Sequence, residues 1–243
     1  MKLVIIRHGD PDYEHDSLTE VGFKEAELLS EKVKKMDVTA FYVSPLGRAK
    51  ATAKPTLEKM GREATVLDWL QEFQPQIVGK EGAAEKSCCW DWLPAAWTSE
   101  EDFYNKDKWM NVKVFKDAGV PEQYKEVCDG LDSLLEKHGY KRDGNIYKAV
   151  RANEDTVVLV CHFGLECVLL SHLLGISPMP LWHGTCAAPT SVTTLVTEER
   201  REGVAYFRMS SFGDTSHLYV AGEEPSFAAR FCEAYYRKDQ RHD

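Results

Sequence analysis

The feature that most restricts this fold is how the chain begins: a short run, Leu3-Val4-Ile5-Ile6, that breaks off into Arg7-His8-Gly9. Four consecutive apolar residues, most of them β-branched, fit a strand buried on both faces. Asp10-Pro11 follows, and proline cannot continue a central strand. In open α/β sheets ligands bind beyond the carboxyl ends of the strands. An arginine released there offers a rigid fork for phosphate or carboxylate. A neutral imidazole beside it is a competent nucleophile, and Gly9 lets backbone approach closely. Taken alone, the tripeptide is equally an ordinary strand end carrying a surface Arg-His pair.

The rest of the chain repeats the strand-then-helix rhythm. Ser17-Leu-Thr-Glu20 opens a helix that runs to Met36, with Ser17 or Thr19 as its cap. Thr39 to Val43 reads as a strand stopped by Ser44-Pro45, with Pro45 fitting the first turn of a helix from Leu46 to Met60 that Gly61 ends. Pro55 is expected to kink or break that helix. Ala64 to Leu67 is a third strand, followed by Gln71-Glu72-Phe73. Glu122 to His138 has an amphipathic helical period, and Gly139 to Asp155 reads as polar connection. Thr156 to Cys161 is the most strand-like run; His162-Phe163-Gly164 and a helix from Leu165 to Leu174 follow it. Ser191 to Thr197 and Val204 to Met209 suggest an antiparallel hairpin, and Pro225 to Tyr236 a last helix. This alternation predicts an α/β fold: a three-layer αβα sandwich with a mainly parallel sheet and helices on both faces.

Between about 75 and 120 the period dissolves into charges and aromatics, including Trp90, Trp92, Trp97, Phe103 and Trp109. A segment of that length is expected to be an insertion of helices and loops, covering the sheet edge of a single domain spanning 1–243. Most of its tryptophans should anchor its own small core, leaving one or two, with Trp90 and Trp92 the candidates, to face substrate.

The totals exclude some functions. A net charge of -9 argues against non-specific binding to nucleic acid or an anionic membrane. It leaves an anionic substrate open, because arginines at contact outweigh charges screened over about 8 Å. No apolar run approaches the roughly 20 residues of a membrane span, and charge arrives too early for a signal peptide. Seven cysteines without repeated spacing read as reduced thiols, hence a cytoplasmic location. Exposed tryptophans in the insertion would serve a homodimer as readily as a substrate.

Four strand ends carry related cargo: Arg7-His8-Gly9, Ser44 to Arg48, Gln71-Glu72 and His162-Phe163-Gly164. In a parallel sheet these ends share one edge. Two arginines neutralise a phosphate dianion, two histidines attack and stabilise, and a carboxyl group donates a proton. Those are the parts needed to hydrolyse a phosphomonoester through a covalent intermediate.

With LVIIRHG, SPLGRAKATA (Ser44 to Ala53), LQEF (Leu70 to Phe73) and VLVCHFG (Val158 to Gly164) in this order, the chain resembles the histidine phosphatase superfamily, in its phosphoglycerate-mutase-like branch. The resemblance implies a metal-independent phosphatase that needs no cofactor and acts on a small phosphorylated substrate. It makes His8 the nucleophile, with Arg7 and Arg48 gripping the phosphoryl oxygens and His162 donating to them. Glu72 becomes the proton donor, a role that needs a raised pKa; Asp10, Asp12 or Glu14 are the competing carboxyls. Gly9 and Gly164 let backbone N–H groups near the phosphate, and Ser44 orients the pocket. Tyr13, Phe163 and His217 join the two tryptophans as candidate substrate contacts. Departing from many relatives, Asp10-Pro11-Asp12-Tyr13-Glu14 replaces a polar Glu-Thr pair and a later asparagine, which disfavours a mutase acting on a doubly charged sugar acid. A mutase-type phosphotransferase and a non-catalytic module binding a phosphorylated ligand are the alternatives. A metal hydrolase using His8, Asp10, Asp12 and His162 is another, although Arg7 and Arg48 would repel a dication.

Overall fold

The structure, a computed structural model, describes residues 1–242. Its centre is an eight-stranded sheet: β1 (Lys2–Arg7), β2 (Ala40–Val43), β3 (Ala64–Val66), β4 (Tyr140–Asp143), β5 (Ile146–Ala149), β6 (Thr156–Cys161), β7 (Val192–Arg201) and β8 (Val204–Asp214). Across the sheet the order is β3-β2-β6-β1-β7-β8-β5-β4. The strands β3, β2, β6 and β1 pair in parallel, and from β1 outward through β7, β8, β5 and β4 every pairing is antiparallel. The sheet is therefore mixed, and its parallel half carries the candidate residues.

Alternation along β1 shows why there are three layers. Leu3 and Ile5 join one apolar cluster with Val157 and Leu159 of β6, whereas Val4 and Ile6 join another with Val158 and Val160. Side chains on a strand alternate between faces, so continuous burial of β1 from Leu3 to Arg7 means that both faces are covered. Helices α1 (Glu20–Val33) and α2 (Gly47–Met60) supply Leu29, Val33, Ala49 and Ala53 to one face. Helices α3 (Val120–Lys137) and α4 (Phe163–Leu174) supply Leu131, Leu135, Leu165 and Val168 to the other.

Local chemistry fixes the boundaries. Thr19, not Ser17, caps α1 by accepting from Gly22 N–H, and Gly61 ends α2 in the left-handed region at φ 62°. Pro55 sits inside α2, which continues as one element. Pro45 lies before the helix rather than in its first turn, because Ser44 Oγ accepts the Leu46 N–H and closes a turn there.

Two further expectations fail. Gly139 to Asp155 contains the β4–β5 hairpin, turned by Gly144-Asn145, with Tyr140 and Tyr147 buried edge-on against Phe207. Pro225 to Tyr236 holds only a single 3-10 turn, Phe227–Ala229. Its hydrogen bonds go to the body instead: Ser226 donates its hydroxyl to Asp10 and its N–H to Glu25, which competes with helix propagation.

Residues 75–120 contain a short ladder, Gln76–Val78 with Lys86–Cys88, and several single helical turns. Phe103, Trp109 and Phe115 are fully buried and pack ring against ring. Among the described residues no helix is long and apolar enough to cross a membrane.

Candidate active site

Parallel register brings the two histidines together. Arg7 of β1 lies opposite Cys161 of β6, so the next residue of each strand, His8 and His162, leaves the sheet side by side. Their ring centroids are 5.1 Å apart, with the planes inclined by 57°. His8 N–H donates to Cys161 O, and Ser44 N–H at the end of β2 donates to Val160 O. The β3 end leads through the turn Asp68–Leu70 to Glu72. The ends of four adjacent parallel strands thus deliver His8, His162, Ser44 and Glu72 to one edge.

The His8 ring is almost wholly buried, and Nδ1 lies 2.7 Å from Gly9 O. A carbonyl only accepts, so Nδ1 carries the ring proton and Nε2 keeps its lone pair. Burial, reinforced by the Arg7 and Arg48 charges, holds the His8 pKa down at about 3. The ring is therefore neutral at any ordinary working pH. His162 is lowered by the same causes, burial first and then its charged neighbours, and its Nε2 lies 2.7 Å from Ser44 Oγ.

Two guanidinium groups surround the imidazoles. Arg7 is 7% and Arg48 8% exposed. Arg7 Nη1 donates to Ala187 O, and its guanidinium lies 5.7 Å from the Phe163 ring centroid. Arg48 Nη1 donates to Asp16 at 2.7 Å, and its outer face meets Tyr13 at 5.4 Å. Three buried nitrogens here, Arg7 Nε, Arg48 Nε and His162 Nδ1, have no partner within the protein. Burying polar donors without partners is unfavourable, and an anion's oxygens would satisfy them.

Glu72 closes the set. Its Oε1 accepts from Phe73 N–H at 2.9 Å and from Leu165 N–H at 3.0 Å, the latter in the first turn of α4. The carboxyl caps that helix in place of His162, which makes no side-chain cap. Burial pushes its pKa up to about 7, against the opposing pull of the Leu165 N–H and Arg7. A group that titrates there can both give and take a proton near neutrality.

Gly164 explains itself by space. A Cβ there would lie 2.7 Å from Glu72 Oε1 and 2.9 Å from the Trp90 ring. Gly164→Ala should therefore displace both neighbours, lowering kcat/KM about 10- to 100-fold while costing about 1–3 kcal/mol of stability. Steady-state kinetics and thermal melting on one sample read both. Gly9 is equally confined, since a Cβ would meet Gly22 O at 2.8 Å.

The remaining candidates divide. Trp90 donates to Phe73 O at 2.6 Å and meets Phe163 edge-on, so it stands beside Glu72 and Gly164. Trp92 does not join them: its indole N–H goes to Cys89 O and its ring packs on Phe103 and Phe115, in the local core of residues 75–120. His217 lies behind the site, buried and 3.0 Å from Thr190 Oγ1. Asp12 holds the exposed His15, and Asp10 is bound by Thr19 and Ser226. Among the described residues no three His, Cys, Asp or Glu side chains are grouped so as to share a metal ion, so His8, Asp10, Asp12 and His162 do not converge as ligands.

Sequence patterns missed Asp16, Glu166 and Thr190. Burial works to raise the Asp16 pKa, but Gly47 N–H and Arg48 more than reverse it, so the carboxylate stays charged and anchors Arg48. Glu166 is buried one turn after His162, its pKa pushed up to about 7 chiefly by burial. No spacing rule marks either residue; only the folded geometry does.

Comparison with known proteins bears on the family and the fold. The model of the histidine phosphatase superfamily (branch 1) matches residues 3–209. A probable phosphatase of Schizosaccharomyces pombe is 24% identical over 237 residues, covering 90% of this chain and 95% of its own. Among solved structures, a phosphoserine phosphatase mutant of Entamoeba histolytica in complex with phosphoserine is similar with a TM-score of 0.58 at 20% identity, covering 89% of this chain and 98% of that one. A mycobacterial glucosyl-3-phosphoglycerate phosphatase complexed with VO3 gives 0.54 at 18% identity, covering 87% and 98%. At these identities the structural likeness speaks to the fold.

Proposed function

Because the chain belongs to the histidine phosphatase superfamily (branch 1), we propose that it hydrolyses a small phosphomonoester through a phosphohistidine on His8. The observation that carries this reading is the neutral His8 ring, whose Nδ1 proton is tied to Gly9 O so that Nε2 is free to attack.

The phosphoryl dianion binds between Arg7 and Arg48, whose charges offset its own without a metal. Pairing every polar atom of Ser44 supports a role for His162. Leu46 N–H occupies one lone pair on Ser44 Oγ, and the hydroxyl proton goes to His162 Nε2. The ring proton is then on Nδ1, one of the buried nitrogens without a partner, and it donates to a phosphoryl oxygen. His8 Nε2 attacks phosphorus as the bond to the leaving oxygen breaks, and Glu72 passes its proton to that oxygen. Phe73 and Leu165 N–H both hold Oε1, so the proton resides on Oε2. In the second half Glu72 takes a proton from water, the resulting hydroxide attacks phosphorus, and the P–N bond breaks to restore neutral His8.

The test is chemical trapping. Acid-labile, base-stable phosphate should appear on His8 during turnover of a 32P-labelled phosphomonoester, at up to one equivalent per chain, and a chelator should leave the rate unchanged. Turnover without label on His8, or loss of rate in chelator restored by a divalent cation, would return the site to another chemistry.

A further inference from the structure

The segment after residue 184 contributes a device that the reaction outlined above does not use. Thr190 is fully buried and adopts φ 56°, the left-handed region. For a β-branched residue this is a true outlier, costing about 1–3 kcal/mol, and it persists only where its surroundings over-determine it. Here they do so three times. Thr190 N–H donates to His8 O at 3.1 Å, its hydroxyl donates to Pro189 O at 2.7 Å, and the same oxygen lies 3.0 Å from His217 Nε2.

The direction of the last bond follows from the second. With its only proton directed at Pro189 O, Thr190 Oγ1 accepts, so His217 Nε2 carries the ring proton. The other ring nitrogen, Nδ1, then keeps the lone pair and is buried without a partner. His217 comes from Ser216–Val220, a short helix after β8, and is 7% exposed.

What this holds in place is the nucleophile. The β1–β7 ladder pairs Ile6 with Val192, and Arg7 N–H donates to Ser191 O. The Thr190 N–H bond to His8 O extends that ladder past the end of both strands. On its other side His8 N–H is bonded to Cys161 O. The His8–Gly9 peptide is clamped at both its polar atoms, the His8 carbonyl by Thr190 N–H and the Gly9 N–H by Thr52 Oγ1, and the next carbonyl, Gly9 O, is the acceptor that orients the His8 ring. Rotation of that peptide would swing the Gly9 carbonyl and, with it, Nε2.

The geometry points to His217 as a positioning residue: through the Thr190 hydroxyl it holds the left-handed backbone whose N–H clamps the His8 carbonyl and aims the nucleophile. This deepens the role given to His8 and rests on it. A displacement of about 1 Å at a reacting atom is worth roughly 100-fold in rate, so the effect belongs in kcat rather than in substrate binding.

The experiment is a double-mutant cycle with rescue, assayed on p-nitrophenyl phosphate alongside His8→Ala. His217→Ala and Thr190→Val should each lower kcat about 10- to 100-fold with KM within about 2-fold of the parent. The double variant should be no slower than the slower single one, because both break one chain of bonds. Thr190→Ser keeps the hydroxyl and His217→Gln keeps a donor near the Nε2 position, and each should recover most of the rate. Thermal melting of all five proteins separates this from a general loss of folding: the rescue variants must regain kcat in a fully folded state. Multiplicative losses in the double variant, a rise in KM at constant kcat, or parent-like kcat in both single variants would overturn the assignment of His217. An active His8→Ala would instead overturn the reading on which it rests.

Discussion

His8→Ala should lose at least about 10,000-fold in kcat on p-nitrophenyl phosphate, the scale seen when a covalent catalyst loses its nucleophile. The loss is in kcat because Arg7, Arg48 and His162 remain to bind the phosphoryl group. Phosphate should therefore still inhibit or bind the variant, which calorimetry or equilibrium dialysis can measure. The neighbouring Cys161 thiol does not take over, since desolvation pushes its pKa well up and it stays protonated. A variant retaining a tenth of the rate would mean that His8 is not the attacking group.

The same substitution has a signature in stability. The His8 pKa is depressed in the folded protein to about 3, against an ordinary value of 6.5. The unfolded chain thus binds a proton in the window between these values that the folded chain excludes. This contribution to stability is intact above about 6.5 and is lost progressively as pH falls toward 3. Without the imidazole that proton linkage disappears, so the difference in melting temperature between pH 8 and pH 5 should be smaller in His8→Ala than in the parent. The comparison is of pH slopes, because the cavity left by the ring shifts the absolute values of the variant at both pH values.

How much of this was legible in the sequence follows from the range of the forces involved. Strands β1 and β6 announce themselves because burial on both faces demands uninterrupted apolar runs, and the runs of β1 and β2 are each closed off by a proline that a central strand rejects. Their parallel order then places Arg7, His8, Ser44 and His162 on one edge. Turn chemistry is legible too: Gly61 closes α2 as a left-handed cap. Gly144-Asn145 is a two-residue hairpin turn, but the flanking Lys and Arg side chains hide the alternation of Tyr140 and Tyr147. The C-terminal segment has apolar residues enough for a helix, but Ser226 is bonded to Asp10 and Glu25, more than 200 positions away. No local period reports such a partner. Asp16, Thr190 and the Thr190 bond to His217 were invisible for the same reason. Each matters through hydrogen bonds to distant segments, and a single polar residue leaves no pattern.

Glu72→Gln separates the two halves of the proposed reaction. The amide keeps the acceptor oxygen for Phe73 and Leu165 N–H but can neither donate an acid's proton nor remove one from water. For an alkyl phosphate, whose leaving oxygen must be protonated, kcat/KM should fall about 100- to 10,000-fold, the usual contribution of general acid catalysis. For p-nitrophenyl phosphate, whose leaving group is stable as an anion, kcat/KM should fall far less, because it reports transfer to His8 alone. Without a base for water, the phosphoenzyme should then accumulate and release one equivalent of p-nitrophenol as a burst. The pH dependence has a fixed sign. With its pKa pushed up to about 7 by burial, Glu72 is protonated below that value and ionised above it. In the parent, kcat/KM for the alkyl ester should decline as pH rises through about 7, while the aryl ester, whose phosphate has the same charge states, lacks that descending limb. Glu72→Gln should flatten the alkyl profile. Equal losses on both esters, or a limb that survives in the glutamine variant, would transfer the proton to another group, and Glu166, buried one turn beyond His162 with its own pKa pushed to about 7, is the next carboxyl to test.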